Sequence, residues 1–153
     1  MGEKGSYIRF LFPEFLLEKA LEERVDLFIS HEEPIPMPFI SVGDIRIYYE
    51  IQGKGPRLLV ISGTGGDLRR KPSIFESPFA AHFEILAYDQ RGLGRTDKPD
   101  IPYSMADYAA DAAGLLDVVN WNGCSVLGIS FGGMVAQDFA IRYPSRVKRM
   151  VLA

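Results

Sequence analysis

Short apolar runs, separated by breaks that contain glycine or proline, fill the chain from residue 38 onward. Runs of about four to eight residues have the length of strands, and continuously apolar ones suit strands buried on both faces of a parallel sheet. The first two runs, FISV and IRIYYEI, flank Gly43 and Asp44, which predicts a hairpin. The later runs predict further strands at RLLVIS, FEILAYD, CSVLGIS and VKRMVLA.

Segments with helical spacing separate these runs. Residues 104–119 predict a helix with Ser104 as its N-cap and an apolar face. A second helix is predicted at GGMVAQDFAIRYP, and a short one over residues 74–81. The alternation from Arg57 onward predicts an α/β fold. We expect a mostly parallel mixed sheet with an N-terminal antiparallel hairpin and helices on both faces.

The N-terminal part of the chain has a different pattern. Residues 14–29 carry apolar positions spaced for an imperfect amphipathic helix, and HEEPIPMPF reads as an extended linker. We predict an extension or linker over residues 1–36, helical or disordered, and a domain over residues 37–153. Met37 suggests the hypothesis that the domain begins there, with residues 1–36 an extension or a mis-assigned start.

Composition narrows the function classes. A net charge of -3 over 153 residues argues against a general nucleic-acid binder, which needs a basic face. The single cysteine, Cys124, excludes an intrachain disulfide and a multi-cysteine metal site, and it fits a reducing, cytoplasmic location. No run reaches the ~18 apolar residues of a membrane span. We predict no cofactor and no metal, and composition leaves the oligomeric state open.

The stretch GISFGG places Ser130 between glycines, directly after an apolar strand and before a helix. A serine at such a sharp turn is held in a strained conformation that exposes its hydroxyl, provided that its neighbours are small. Gly128, Gly132 and Gly133 supply that space. The pattern predicts a nucleophilic serine; a glycine-rich turn with a bystander serine is the alternative.

The stretch VISGTGGD is a glycine-rich loop after the strand RLLVIS. Such a loop can point a backbone N–H at the serine, and Thr64 and Phe131 are the predicted backbone donors of an oxyanion hole. A dinucleotide-binding loop is the alternative, because Gly63 and Gly65 begin a G-x-G-x-x-G pattern. Leu68 replaces its third glycine, and Glu84 lies at a suitable sequence distance for a ribose contact.

The loop YDQRGLGRTDKP carries Asp89, Arg91 and Asp97 at the end of a strand. Carboxylates there suit either a metal ion or an ion pair that holds the loop. An Asp–Arg pair is the favoured interpretation.

Together, SGTGGD, YDQRGLGRTDKP and GISFGGMVAQDFAIRYPSRVKRMVLA resemble the α/β-hydrolase superfamily, in its order and spacing over residues 38–153. The chain looks most like small esterase and enol-lactone hydrolase members. The resemblance implies Ser130 as nucleophile, the N–H groups of Thr64 and Phe131 as oxyanion hole, a small ester or lactone as substrate, and structural roles for Gly63, Asp89 and Arg91. Many relatives have His-Gly where this chain has Ser62-Gly63. This difference affects how the loop is braced and leaves the backbone donor unchanged.

The family order is serine, then acid, then histidine. After Ser130 the chain contains no histidine, and its only carboxylate there is Asp138. His31 lies in the N-terminal extension, and His82 precedes a strand at the sheet edge predicted to lie opposite Ser130. We therefore expect the N-terminal part of the family fold, truncated after the strand that follows the nucleophile helix and inactive alone. A non-catalytic interaction module and a nucleotide-binding α/β protein are the alternatives.

Overall fold

The computed structural model describes residues 39–153, and this part of the chain forms six strands and two α-helices. The strands are β1 (Phe39–Val42), β2 (Ile45–Gln52), β3 (Arg57–Ile61), β4 (Glu84–Tyr88), β5 (Cys124–Gly128) and β6 (Val147–Leu152). The helices are α1 (Met105–Val118) and α2 (Phe131–Arg142). The helix predicted over residues 14–29, the linker and Met37 lie outside the described residues.

The six strands form one mixed sheet in the order β1-β2-β4-β3-β5-β6. The pairs β1–β2 and β2–β4 are antiparallel, and the pairs β3–β4, β3–β5 and β5–β6 are parallel. This arrangement confirms the predicted fold class, including the N-terminal hairpin. Because β3, β4 and β5 run in the same direction, the loops that follow β3, β4 and β5 meet at one edge of the sheet.

Alternate residues of the central strands pack on opposite faces of the sheet. Leu59, Ile61 and Val126 pack with α1 and α2 on one face. Leu58 and Val60 pack on the other face against residues of the β3–β4 connection. Burial on both faces explains why these strands are continuously apolar in sequence.

Helix α1 begins as the sequence predicts. Ser104 Oγ accepts from the Asp107 N–H at 3.3 Å, and the Asp107 carboxylate accepts from the Ser104 N–H at 2.7 Å. This reciprocal capping satisfies two donors at the helix start.

The β3–β4 connection differs from the prediction of one short helix. It contains two short 3-10 helices, Ile74–Glu76 and Pro78–Ala81. Pro78 begins the second, and proline lacks the N–H that a continued helix would need. Helical structure therefore covers both faces of the sheet, α-helical on one and 3-10 on the other.

Candidate active site

Ser130 lies in the turn between β5 and α2, with φ 53° and ψ -120°. Residues other than glycine rarely adopt this conformation, and it is strained. The Ile129 N–H donates to Ile61 O at 3.0 Å, and the Ser130 N–H donates to Ala153 O at 2.7 Å. The turn is thus fixed to the ends of both neighbouring strands, while Ser130 itself is exposed.

Two of the three predicted glycines are required by the close approach of α2 to the sheet. A Cβ on Gly128 would lie 2.6 Å from Gly132 O, and a Cβ on Gly132 would overlap the carbonyl oxygens of Ile61 and Ser62. Gly133 differs, because a Cβ there would lie 3.5 Å from Gly128 O, an ordinary contact. The structure does not require glycine at position 133.

The loop after β3 packs directly against the serine. A Cβ on Gly63 would lie 3.2 Å from Ser130 Cβ and 3.7 Å from Ser130 Oγ. The Gly66 N–H donates to Gly63 O at 3.0 Å, and Gly65 has φ 73°, as the third position of a type II turn requires. We call residues 63–66 the glycine turn.

The backbone N–H groups of Thr64 and Phe131 donate to no other group within residues 39–153. Thr64 lies inside the glycine turn, and Phe131 is the first residue of α2. Donors at a helix start have no partner within the helix and lie at the positive end of its dipole. Both N–H groups therefore have no protein acceptor in this part of the chain.

Two buried side chains that follow β4 hold the loop after β3. Gln90 Nε2 donates to Ser62 O at 2.7 Å. Asp89 accepts from the Leu68 N–H and from the Arg95 N–H, both at 2.8 Å. Burial raises the pKa of Asp89 above its ordinary value, against the effect of these donors. Sequence reasoning missed Gln90, whose position beside Asp89 at a strand end was the available signal.

Arg91 forms an Asp–Arg pair, but with a carboxylate outside its own loop and not with Asp89 or Asp97. Arg91 Nε and Nη2 donate to the Asp111 carboxylate of α1 at 2.6 and 2.7 Å, and this pair is buried. The chain turns directly after Asp89, since the Leu93 N–H donates to Gln90 O at 2.9 Å, and the two side chains contact different segments. Asp89 and Arg91 thus connect this loop to different parts of the fold. Sequence reasoning also missed Asp111. Its position as a carboxylate within the apolar face of α1 was the feature that could have identified it.

Asp97 also has a structural contact. Its carboxylate accepts from the Arg46 N–H of β2 at 2.9 Å. No group of three or more His, Cys, Asp or Glu side chains within residues 39–153 is arranged to hold a metal ion.

A pocket of about 470 Å³ opens beside the glycine turn. Gly63 and Ile129 line this pocket. Gly63 lies against Ser130, and Ile129 directly precedes Ser130 in the chain. The rest of the wall includes the apolar side chains of Val60, Leu68 and Ile74 and the polar side chains of Arg70, Ser73 and Ser77.

Neither His82 nor Asp138 lies where it could act on Ser130. His82 is exposed and follows the 3-10 helix Pro78–Ala81, at the end of the sheet where β4 begins. Ser130 follows β5 at the opposite end, as predicted, because β4 and β5 both run parallel to β3. Asp138 accepts from Arg142 Nε at 2.5 Å, one turn further along α2. His31 lies outside the described residues.

The geometry does not support the dinucleotide-binding alternative. The loop after β3 leads into turns and short 3-10 helices, and not into the long helix whose N-terminus holds the pyrophosphate in a dinucleotide-binding βαβ unit. Glu84 begins β4 at the far edge of the sheet, 3.6 Å from Arg57 Nε. A ribose bound at the glycine turn would be out of its reach.

An exposed serine on a strained strand-to-helix turn is a feature of the nucleophile elbow of α/β-hydrolases. The family model described as "alpha/beta hydrolase fold" matches residues 56–153. The chain belongs to the α/β-hydrolase family. No helix of this α/β-hydrolase within residues 39–153 is long and apolar enough to cross a membrane.

Relatives of this α/β-hydrolase include proteins with and without a stated activity. It is 34% identical over 119 residues to an uncharacterized protein of Mycobacterium tuberculosis, a match that spans 78% of this chain and 35% of the relative. It is 35% identical over 96 residues to a poly(3-hydroxyalkanoate) depolymerase of Ectopseudomonas oleovorans, spanning 63% of this chain and 34% of the relative.

Among solved structures, the enol-lactonase of Burkholderia xenovorans matches with a TM-score of 0.66 and 28% identity, over 74% of this chain and 45% of that one. The chain therefore spans about a third of the length of these curated relatives and under half of the enol-lactonase.

Proposed function

We propose that Ser130 is the nucleophile of a serine hydrolase that cleaves an ester- or lactone-like bond of a small molecule through an acyl-enzyme. The observation that carries this proposal is the strained backbone of an exposed serine, φ 53° and ψ -120°, between a buried strand and a helix. Strain of this kind at a surface hydroxyl is characteristic of functional sites. The enol-lactonase and the polyester depolymerase among its relatives support this bond type.

The proposed chemistry is acyl transfer in two steps. Ser130 Oγ bonds to the carbonyl carbon as its proton passes to a base, and the bond to the leaving oxygen then breaks as that oxygen takes up a proton. Water repeats the attack and releases the acid. The N–H groups of Thr64 and Phe131 would stabilise the negative charge on the carbonyl oxygen in both steps.

We further propose that residues 39–153 do not supply the base. His82 lies at the opposite edge of the sheet, and no histidine follows Ser130 in this chain. Without a base the rate falls by several orders of magnitude, and oxyanion stabilisation and binding alone leave roughly 10³–10⁴-fold over water. We expect slow acylation and little turnover.

Labelling with a fluorophosphonate, followed by intact mass and peptide mapping, tests the nucleophile. We expect slow modification of Ser130 that free imidazole accelerates by acting as an external base. Ser130→Ala should abolish it, whereas Thr64→Val should retain it, because the proposed donor at position 64 is the backbone. Labelling that survives Ser130→Ala, or none even with imidazole, would refute the assignment. Rapid turnover of p-nitrophenyl acetate without imidazole would refute the missing base.

A non-catalytic interaction module is the second candidate. Met150, Val151 and Leu152 of β6 are exposed at the edge of the sheet, and such an edge can pair with another chain. Sedimentation of the wild type and of Val151→Lys distinguishes the two candidates. Association that Val151→Lys abolishes, without labelling of Ser130, would favour the module.

We also propose a cytoplasmic location, which rests on the single buried Cys124.

A further inference from the structure

Arg70 has no ion-pair partner within residues 39–153, unlike the two cations beside it in the chain. Arg69 pairs with Asp67 at 2.6 Å, and Lys71 pairs with Glu76. The donors of Arg69 also hold the pKa of Asp67 well below its usual range, so this carboxylate is ionised and already engaged. Arg70 therefore forms no ion pair of its own in this part of the chain, although its charge also acts on the Asp67 carboxylate, which lines the same pocket.

This charge lies at the candidate active site. Arg70 lines the pocket beside the glycine turn, and its Nη1 lies 3.8 Å from the position of a Cβ on Gly65. Ser130 contacts the other end of the same turn, at Gly63. A hydrogen-bonded turn of four residues spans less than about 7 Å between its end Cα atoms. The guanidinium is thus separated from the serine by one compact turn.

The pocket beside Arg70 exposes more apolar than polar surface. Leu68, Ile74, Ala87 and Ile129 line the pocket and suit a short carbon skeleton. A guanidinium offers a planar pair of donors that matches a carboxylate, and it does so more specifically than an ammonium group.

We propose that Arg70 selects substrates that carry a carboxylate a few bonds from the scissile carbonyl. The inference rests on the proposed function for the position of the scissile bond. Arg70 is a specificity-determining residue, and its guanidinium takes no part in the acyl transfer. Because the side chain is partly solvated, we expect a preference of about five-fold, the upper end for exposed ion pairs.

The test compares 5-oxotetrahydrofuran-2-carboxylate with its uncharged methyl ester. Both are titrated by NMR into the Ser130→Ala variant of residues 1–153, which is expected to bind without hydrolysis. We expect the carboxylate to bind about five-fold more tightly at low salt, and the difference to shrink at high salt because screening weakens exposed pairs. Adding Arg70→Gln should equalise the two dissociation constants. Adding Lys71→Gln, which removes the same charge from a residue outside the pocket wall, should leave the preference intact.

Equal affinity for the two ligands in Ser130→Ala, a preference that survives Arg70→Gln, or no binding of either ligand would overturn the inference. Its failure is distinguishable from failure of the proposed function. A carboxylate preference without Ser130 labelling counts against the nucleophile alone, and labelling without a preference counts against Arg70 alone.

Discussion

Gly63 faces Ser130 across the gap between the ends of β3 and β5, so closely that a Cβ on Gly63 would lie 3.2 Å from Ser130 Cβ. The same Cβ would lie 3.2 Å from Ile129 O. The glycine turn therefore approaches residues 129–130 so closely that there is little room for a side chain at position 63. Stability measurements around this contact test the geometry without any substrate.

The strain at Ser130 predicts that Ser130→Gly is more stable than Ser130→Ala, although glycine is usually the more destabilising of the two residues. Both variants lack the hydroxyl. Glycine relaxes a φ of 53°, whereas alanine retains the strain. We expect the free energy of unfolding of Ser130→Gly to be about 1 kcal/mol higher than that of Ser130→Ala. This difference already includes the cost of the entropy that glycine adds to the unfolded chain. Urea denaturation measures the difference. If Ser130→Ala is the more stable, the backbone is not strained.

Two adjacent glycines of α2 should respond differently to a methyl group. Gly132→Ala forces a Cβ into the carbonyl oxygens of Ile61 and Ser62, and we expect a loss of about 3 kcal/mol. Gly133→Ala meets only ordinary contacts and gains helix propensity, so a change within about 1 kcal/mol is expected. Thermal unfolding of the two variants compares them. Equal destabilisation would show that helix and sheet are not in close contact at Gly132.

The buried pair of Arg91 and Asp111 predicts strong coupling. Arg91→Met leaves the Asp111 carboxylate buried without its partner, at a cost of about 3–5 kcal/mol. The double variant Arg91→Met, Asp111→Leu should recover most of this loss, because no uncompensated charge remains. A double-mutant cycle by urea denaturation measures the coupling. Additive losses would mean that the two side chains act independently.

Burial of Cys124 predicts a pH dependence in the alkaline range. Burial raises the pKa of its thiol from 9.0 to about 11, so between these values the folded state retains a proton that the unfolded state releases. Stability therefore falls as pH rises above 9. Between pH 8 and 10.5 the wild type should lose about 2 kcal/mol more of its free energy of unfolding than Cys124→Ala. Parallel pH profiles for the two proteins would contradict the shift.

The local pattern of apolar and polar residues was sufficient to predict the strands and the two α-helices. The strands, the N-cap at Ser104 and the turn at Ser130 were predicted near their observed positions, because each depends on residues close in sequence. The β3–β4 connection was less predictable. An apolar pattern over residues 74–81 is compatible with an α-helix, and the 3-10 geometry also depends on packing against Leu58 and Val60.

The sequence by itself determined the fold class, the family and the position of Ser130, since strand length, glycine spacing and motif order are properties of the linear chain. Only the tertiary structure decided which groups meet at the site. Gln90 holds Ser62, Arg91 pairs with Asp111 rather than Asp89, and Arg70 faces the pocket while its neighbours are paired. The partners Gln90–Ser62 and Arg91–Asp111 are 28 and 20 residues apart. Such contacts depend on how parallel strands bring distant loops together at the ends of the strands, and local sequence pattern does not reveal which side chains then meet.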